Sequence, residues 1–265
     1  MNISIDHLSL PKTAQSGQCF RFNQISENCF ETICRDHYVK ITSAPEGFDF
    51  DCDEETFNSV WRSYFDLDTD YNYIEKLIMD FNDEHLCDCY RLGEGIRILR
   101  QDLWEIIVSF LISQNNNIKR IKSSIELICK KAAVPTIENP NVFLFPRPED
   151  IDEEFFNDNS LGLGYRVPYL REIYRFAKCN PEEIEKLKSL DYNDAYTSLL
   201  THLGIGPKVA NCICLFGLHH TQAFPIDTHV KQLLNKYYDG SFDTAFFENH
   251  AGTVQQFLFY YELNN

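Results

Sequence analysis

One stretch of the sequence places an amine where helix physics alone does not want it. In Leu199-Leu200-Thr201-His202-Leu203-Gly204-Ile205-Gly206-Pro207-Lys208-Val209-Ala210, two apolar helical segments are joined by a Gly-x-Gly turn. Glycine allows positive φ and close backbone approach, and proline suits the first helical position. Lys208 then falls in the first helical turn, where a cation opposes the helix macrodipole, so neither propensity nor capping accounts for it. The same positive field disfavours an ammonium relative to a free amine, and a free amine is a nucleophile. Cys212 lies one helical turn on and shares Lys208's face. The amides exposed at this helix start form an anion site suited to a phosphate. A plain helix–helix turn carrying a surface lysine is the competing reading.

A second element follows at Pro225-Ile226-Asp227-Thr228-His229-Val230. Asp227 is an N-cap candidate for the next helix. A carboxylate so placed could also stabilise a developing sugar cation or relay a proton. Capping by itself explains the motif when it is taken alone, and the catalytic role gains weight from the hairpin that precedes it.

The elements that must hold these groups are legible in the hydrophobic periods. Residues 1–50 read as strands, with Phe20 and Phe22 alternating with polar neighbours and Phe30–Cys34 and Tyr38–Ile41 forming a hairpin around Arg35-Asp36-His37. From about residue 54 the period becomes helical. Residues 102–112 (DLWEIIVSFLI) are apolar almost all round, as a helix buried on most sides requires. It ends in the polar run Ser113-Gln114-Asn115-Asn116-Asn117, and Ile118, Ile121, Ile125 and Ile128 stripe a second helix. Residues 132–160 read as a Pro- and acid-rich loop. Helices are expected over 166–178, 181–188, 192–203 and 207–218, then after Asp227 and near 253–262. The expected fold is α+β: an N-terminal antiparallel β-sheet domain with helices over 1–95, then an all-helical region over 96–265 with its hairpin at about 192–218.

Composition bounds the setting. The chain has 265 residues and a net charge of −16. Such acidity counts against strong non-specific binding to nucleic acid, which rests on clustered cations. The charge is uneven, however. Residues 46–55 and 149–158 are strongly acidic, whereas Arg91, Arg97, Arg100, Lys119, Arg120 and Lys122 cluster over 91–122. A local binding face built from helix N-termini and a few cations is therefore open. No apolar run approaches the roughly 20 residues a membrane helix needs, and the start, MNISIDHLSLPK, has neither the basic region nor the apolar core of a signal peptide. Ten cysteines without a C-x-x-C fit reduced thiols inside a cell and argue against a zinc ribbon or a thioredoxin-type site. The expected location is cytoplasm or nucleoid in a bacterium, or nucleus in a eukaryote.

Taken together, these pieces resemble the helix-hairpin-helix DNA glycosylases, specifically the 8-oxoguanine DNA glycosylases. The family's hairpin, lysine and downstream aspartate match LGIGPKVANCICL followed by AFPIDTHV, and SGQCFRF (16–22), LRQDLWEIIVSFLISQNNNIKRI (99–121) and LGLGYR (161–166) match in the family's order. The resemblance covers nearly the whole chain. SGQCFRF is its most telling part, because hairpin relatives for other bases lack it. The iron–sulfur branch is excluded, since no cysteine follows Cys214.

The resemblance implies a bifunctional glycosylase and abasic-site lyase that excises 8-oxoguanine from double-stranded DNA, preferably opposite cytosine. Lys208 would be the nucleophile and Asp227 its acidic partner. The N-terminal domain would be TATA-binding-protein-like. Guanine offers a lone pair at N7 and 8-oxoguanine an N–H, so a backbone carbonyl there attracts the lesion and repels the normal base. In the family that carbonyl corresponds to Gly17, and one such bond is worth about 1–3 kcal/mol. Gln255 would read the Watson–Crick edge, Phe259 would stack on the flipped base and Cys212 would flank its other face. Tyr165 matches the wedge. Asn115, Arg120 and Arg166 match the groups that contact the orphaned cytosine. Gly204, Gly206, Val209 and His229 match phosphate contacts, and the carbonyls of Leu200, His202 and Ile205 match a structural cation site in relatives. No cofactor or catalytic metal is expected, and the enzyme is expected to be a monomer. Asn211, where animal relatives carry aspartate, and Phe216, at a position often held by methionine, depart from the pattern. Two readings compete: a related hairpin glycosylase for alkylated bases, which typically lacks the hairpin lysine, and a non-catalytic hairpin DNA-binding module.

Overall fold

The computed structural model describes residues Met1–Asn265. Its sheet comprises β1 (Asn2–Ile3), β2 (Asn23–Ser26), β3 (Cys29–Cys34), β4 (His37–Ala44) and β5 (Gly47–Phe50). All pairings are antiparallel, in the order β1-β5-β4-β3-β2. The expected hairpin is present, with Cys34 opposite His37. Alternation along β3 sends Phe30, Thr32 and Cys34 inward.

The helices are α1 (Leu10–Gln15), α2 (Glu54–Thr56), α3 (Arg62–Tyr64), α4 (Tyr71–Phe81), α5 (Glu84–Gly93), α6 (Leu103–Ser113) and α7 (Ile118–Ala132). Then come α8 (Val167–Cys179), α9 (Pro181–Leu187), α10 (Tyr192–Leu199), α11 (Pro207–Phe216), α12 (Thr228–Tyr237) and α13 (Ala251–Asn264). A π-helical turn, Phe57–Trp61, joins α2 to α3. None is long and apolar enough to cross a membrane.

Three expectations require correction. The stretch expected as all strand contains α1, which Ser9 caps and Pro11 initiates. Phe20 and Phe22 are buried as their alternation implies, but their segment is not a strand. Phe20 packs on Phe110 of α6 at 5.7 Å, while Phe22 joins the aromatic core beneath the sheet. The chain there runs between two cores and has no neighbouring strand to pair with. The hairpin's first helix was expected to reach residue 203 and ends at Leu199, where Thr201 N–H to Ser198 (3.1 Å) and His202 N–H to Leu199 (3.2 Å) tighten the chain into turns.

Side chains divide into three cores. One lies under the sheet, around Phe22, Phe30, Phe50, Trp61 and Phe65. The largest surrounds α6, which is buried on every side as its composition demands. The third joins α4 and α5 to α12 and α13 through Ile74, Ile78, Leu86, Leu233, Phe257 and Leu258. Helices within 71–93 thus complete their core with residues 230–260. The division expected at residue 95 follows the chain and not the packing.

One buried ion pair crosses between layers. Arg21, just after Phe20, lies 3.7 Å from Glu105 in the first turn of α6. Burial pushes the Glu105 carboxyl up to about 7, opposed by the Arg21 guanidinium. A carboxyl raised in the folded state binds a proton more tightly there than in the unfolded chain. Its stabilising contribution is therefore complete below the ordinary value of 4.5 and is lost as pH rises through about 7. The stability difference between wild type and Glu105→Gln should shift by about 3 kcal/mol between pH 4.5 and pH 8 in chemical denaturation, to the wild type's disadvantage at high pH. A constant difference would show that Glu105 does not titrate in that window.

Candidate active site

Residues distant in sequence close around a small cavity of about 40 Å³. Its walls are Lys208, Cys212 and Phe216 of α11, Phe110 of α6, the Ser16-Gly17 turn, Pro225 and Asp227 before α12, and Gln255, Gln256 and Phe259 of α13. Every residue expected to act on the sugar or to recognise the base is among them. About one water fits in such a volume. A purine is far larger, and the Phe259 ring lines the cavity beside Gly17. It lies so close to Gly17 that a Cβ there would sit 2.9 Å from the ring edge. Gly17 also takes a φ of +76°, which disfavours side chains.

The Lys208 Nζ stands over the Phe110 ring, 5.1 Å from its centre, and the Phe216 ring stacks behind Phe110. Lys208 enters no ion pair, with Asp227 or any other acid. Burial pushes the Cys212 thiol up, against the pull of the Lys208 charge. Cys212 is thereby kept as a neutral thiol, a small apolar wall and not a second nucleophile. The Asp227 Oδ1 accepts the Val230 N–H at 2.9 Å, so the expected cap exists. The residue caps α12 and lines the cavity at once.

Recognition groups are left open. Gln255 is 4% exposed, its Oε1 is buried without a partner, and its amide makes no hydrogen bond to the protein. Buried amides are normally satisfied, so an unpaired one facing a cavity is a vacant ligand contact. No protein donor reaches the Gly17 carbonyl either.

Outside the cavity, the hairpin presents its loop. Gly204 has a φ of +86°, and the Tyr169 ring of α8 packs so tightly that a Cβ would meet it at 2.5 Å. Gly206 has ordinary φ and nothing within 4 Å of a built Cβ. Nothing within the protein itself requires a glycine there. Val209 is buried. Asn211 ties the hairpin together, donating to the Pro207 carbonyl at 3.0 Å and accepting from the Tyr192 hydroxyl at 2.7 Å. Of the three carbonyls matched to a cation site, that of His202 accepts from Ile205 N–H at 3.1 Å, and those of Leu200 and Ile205 accept nothing. His229 is exposed, edge-on to Phe259 at 6.3 Å.

The loop after α6 sorts its asparagines. Asn117 caps α7, and Asn116 donates to the Ile112 carbonyl. Asn115 is exposed with its side chain unengaged, at a φ of +47°. Arg120 is likewise exposed and unpaired. Tyr165 is half-exposed, its hydroxyl bonded to the Gln114 carbonyl. Arg166 differs from expectation. It is 5% exposed, and its guanidinium donates to the carbonyls of Gln114, Asn115 and Leu163. In this conformation it holds the asparagine loop in its strained shape, and to reach a base it must exchange those bonds.

Comparison with known proteins bears on this site directly. A family model described as 8-oxoguanine DNA glycosylase, N-terminal domain, matches residues 1–107. An 8-oxoguanine glycosylase/lyase of Clostridium acetobutylicum, solved with double-stranded DNA containing cytosine opposite 8-oxoguanine, is 33% identical with a TM-score of 0.89. The match covers 98% of this chain and 93% of that one. This chain belongs to the 8-oxoguanine DNA glycosylase/lyase family. The N-glycosylase/DNA lyase of Saccharomyces cerevisiae is 29% identical over 89% of this chain and 70% of its own. That of Arabidopsis thaliana is also 29% identical, over 89% of this chain and 68% of its own. The enzyme is therefore a bifunctional DNA glycosylase and abasic-site lyase of base repair. A 3-methyladenine DNA glycosylase of Archaeoglobus fulgidus, 17% identical with a TM-score of 0.75, shares the fold.

Four cavity residues, Phe110, Ser16, Pro225 and Gln256, escaped the sequence reading. Phe110 sits in a helix buried all round, where periodicity gives no hint of which ring faces a cavity. Ser16 lay in a matched motif, with only its neighbour marked. Gln256 follows Gln255 on a helix apolar on most sides, and nothing local separates the two.

The hairpin glycines differ in a testable way. Gly204→Ala should lower stability by about 2 kcal/mol or more, from strain at positive φ and the clash with Tyr169. Gly206→Ala should melt like wild type but bind duplex DNA more weakly. If Gly206→Ala binds normally, the open space at the helix start is not a phosphate site.

Proposed function

We propose that the enzyme excises 8-oxoguanine opposite cytosine through an imine formed by Lys208. One observation carries this reading: the Lys208 amine, the unpaired Gln255 amide and the unpaired Gly17 carbonyl line one cavity, flanked by Cys212 and Phe259. An amine nucleophile and an empty set of base-reading groups belong together only if a base is cut from its sugar at that point. The site is complete within one chain, which supports action as a monomer.

The steps follow from the chemistry of the groups. A flipped base displaces the Phe259 ring from Gly17 and enters between Phe259 and Cys212. Neutral Lys208 Nζ attacks C1′ as the bond from C1′ to the base breaks, and the base leaves with the bonding pair and then takes a proton. Asp227 stabilises the positive charge that develops on the sugar. Loss of a proton from the nitrogen and ring opening give an imine. Removal of a C2′ proton then expels the 3′ phosphate by β-elimination, and hydrolysis of the imine regenerates the amine. Asn115 and Arg120, exposed beside the Tyr165 wedge, supply an acceptor and donors to the edge of the orphaned cytosine. The Clostridium acetobutylicum relative, solved with that base pair, supports the preference.

Two measurements test the reading. Borohydride trapping on oxidised duplex DNA should yield a covalent adduct with wild type and none with Lys208→Gln, while DNA binding persists. An adduct with the variant would assign the chemistry to another amine. In single-turnover excision opposite C, T, G and A, wild type should prefer cytosine by about ten- to a hundredfold, and Arg120→Ala should lose most of that preference. Equal wild-type rates opposite all four bases, or an unchanged preference in the variant, would reject the opposite-base role.

A further inference from the structure

Gln255 and Gln256 are adjacent on α13, both buried and both lining the cavity, yet they are bonded differently. The Gln255 amide is free. The Gln256 Nε2 donates to the Ser16 carbonyl at 2.9 Å, across 240 positions of sequence. Because Ser16 contributes an acceptor, the amide face turned toward it must be the NH₂. The Gln256 Oε1 is therefore turned away and is buried without a partner. An orphaned buried acceptor is unfavourable, and methionine would fill the same space without one. The glutamine's advantage lies at its other end.

That end grips the peptide next to Gly17. The residues flanking Gly17 are tied throughout. The Ser16 hydroxyl donates to Thr13 at 2.8 Å and accepts from the Gln18 amide at 2.9 Å. Gln18 also donates to the Arg97 carbonyl, accepts the Leu99 N–H, and its own carbonyl accepts from Gln101. Amid these bonds the Gly17 carbonyl accepts none. Gln18 fixes the turn to residues 97–101, whereas Gln256 makes the one hydrogen bond that joins it to α13, the helix bearing Gln255 and Phe259.

We propose that Gln256 is a positioning residue for lesion recognition: it locks the Gly17 turn in register with α13, so that the Gly17 carbonyl and the Gln255 amide meet opposite edges of one base. This deepens the excision reading above and rests on it. Without that bond the carbonyl that tells N7–H from an N7 lone pair drifts relative to the groups that hold the rest of the base. The Lys208 amine does not depend on the bond.

The test separates base recognition from amine chemistry, because an abasic site has no base to read. Gln256→Met and Gln256→Glu would be assayed for single-turnover excision of 8-oxoguanine opposite cytosine and for cleavage at a preformed abasic site. Gln256→Met should excise about tenfold more slowly or worse, with abasic-site cleavage within about twofold of wild type. Gln256→Glu should be equally impaired at neutral pH and recover toward wild type, measured at the same pH, as acid protonates its carboxyl and restores a donor to Ser16. Equal slowing on both substrates, or excision as fast as wild type, would overturn the assignment. Failure of the wild type itself to excise 8-oxoguanine, with abasic cleavage intact, would remove the functional reading and this proposal with it.

Discussion

Everything in this enzyme is arranged around the need to keep an amine beside an apolar wall at a place where separate cores meet. Lys208 stands on Phe110 of the central core. Phe259 approaches from the core that α13 completes. The Gly17 turn enters from the segment that runs between the sheet core and the helical core. No single layer could hold all of these groups, because a well-packed core leaves no vacancy. A junction of cores leaves one by geometry, and the unpaired polar atoms of Gln255, Gln256 and Gly17 collect there.

The local parts of the site were legible in the sequence because local physics marks them. Lys208 violates the helix dipole, Asp227 obeys the capping rule, and glycine spacing sets the turn just before Lys208. The hairpin strands and the buried helix over 102–112 were equally plain, since period and composition agree there. What was not legible depends on distant partners. Phe110 looks like any core aromatic until the cavity is drawn. Gln256 takes its meaning from Ser16, and Arg166 is held by carbonyls more than fifty positions away. The strand expected at Phe20–Phe22 failed for the same reason: alternation shows that both rings are buried, but not that they are buried in different cores.

Charge follows the same division. The chain is strongly acidic as a whole. Arg120 and Lys208 join none of the ion pairs, whereas Arg62, Arg91, Lys130, Lys131, Arg147 and Arg175 are each matched with an acid. Cations left unmatched beside the cavity help orient a polyanion, and the net acidity of the chain weakens its adhesion in general.

The Phe259 ring against Gly17 sets a cost that precedes recognition. A pocket of about 40 Å³ is too small for a base as it stands, and on the proposed reading the ring is what moves. Every extruded nucleotide must therefore meet the enzyme during the fraction of time in which the ring stands aside, and its apparent affinity is lowered by that fraction. On the proposed reading, a base that gains the Gly17 and Gln255 bonds after entering holds the ring away for longer, so selectivity lies in dwell time and not in entry.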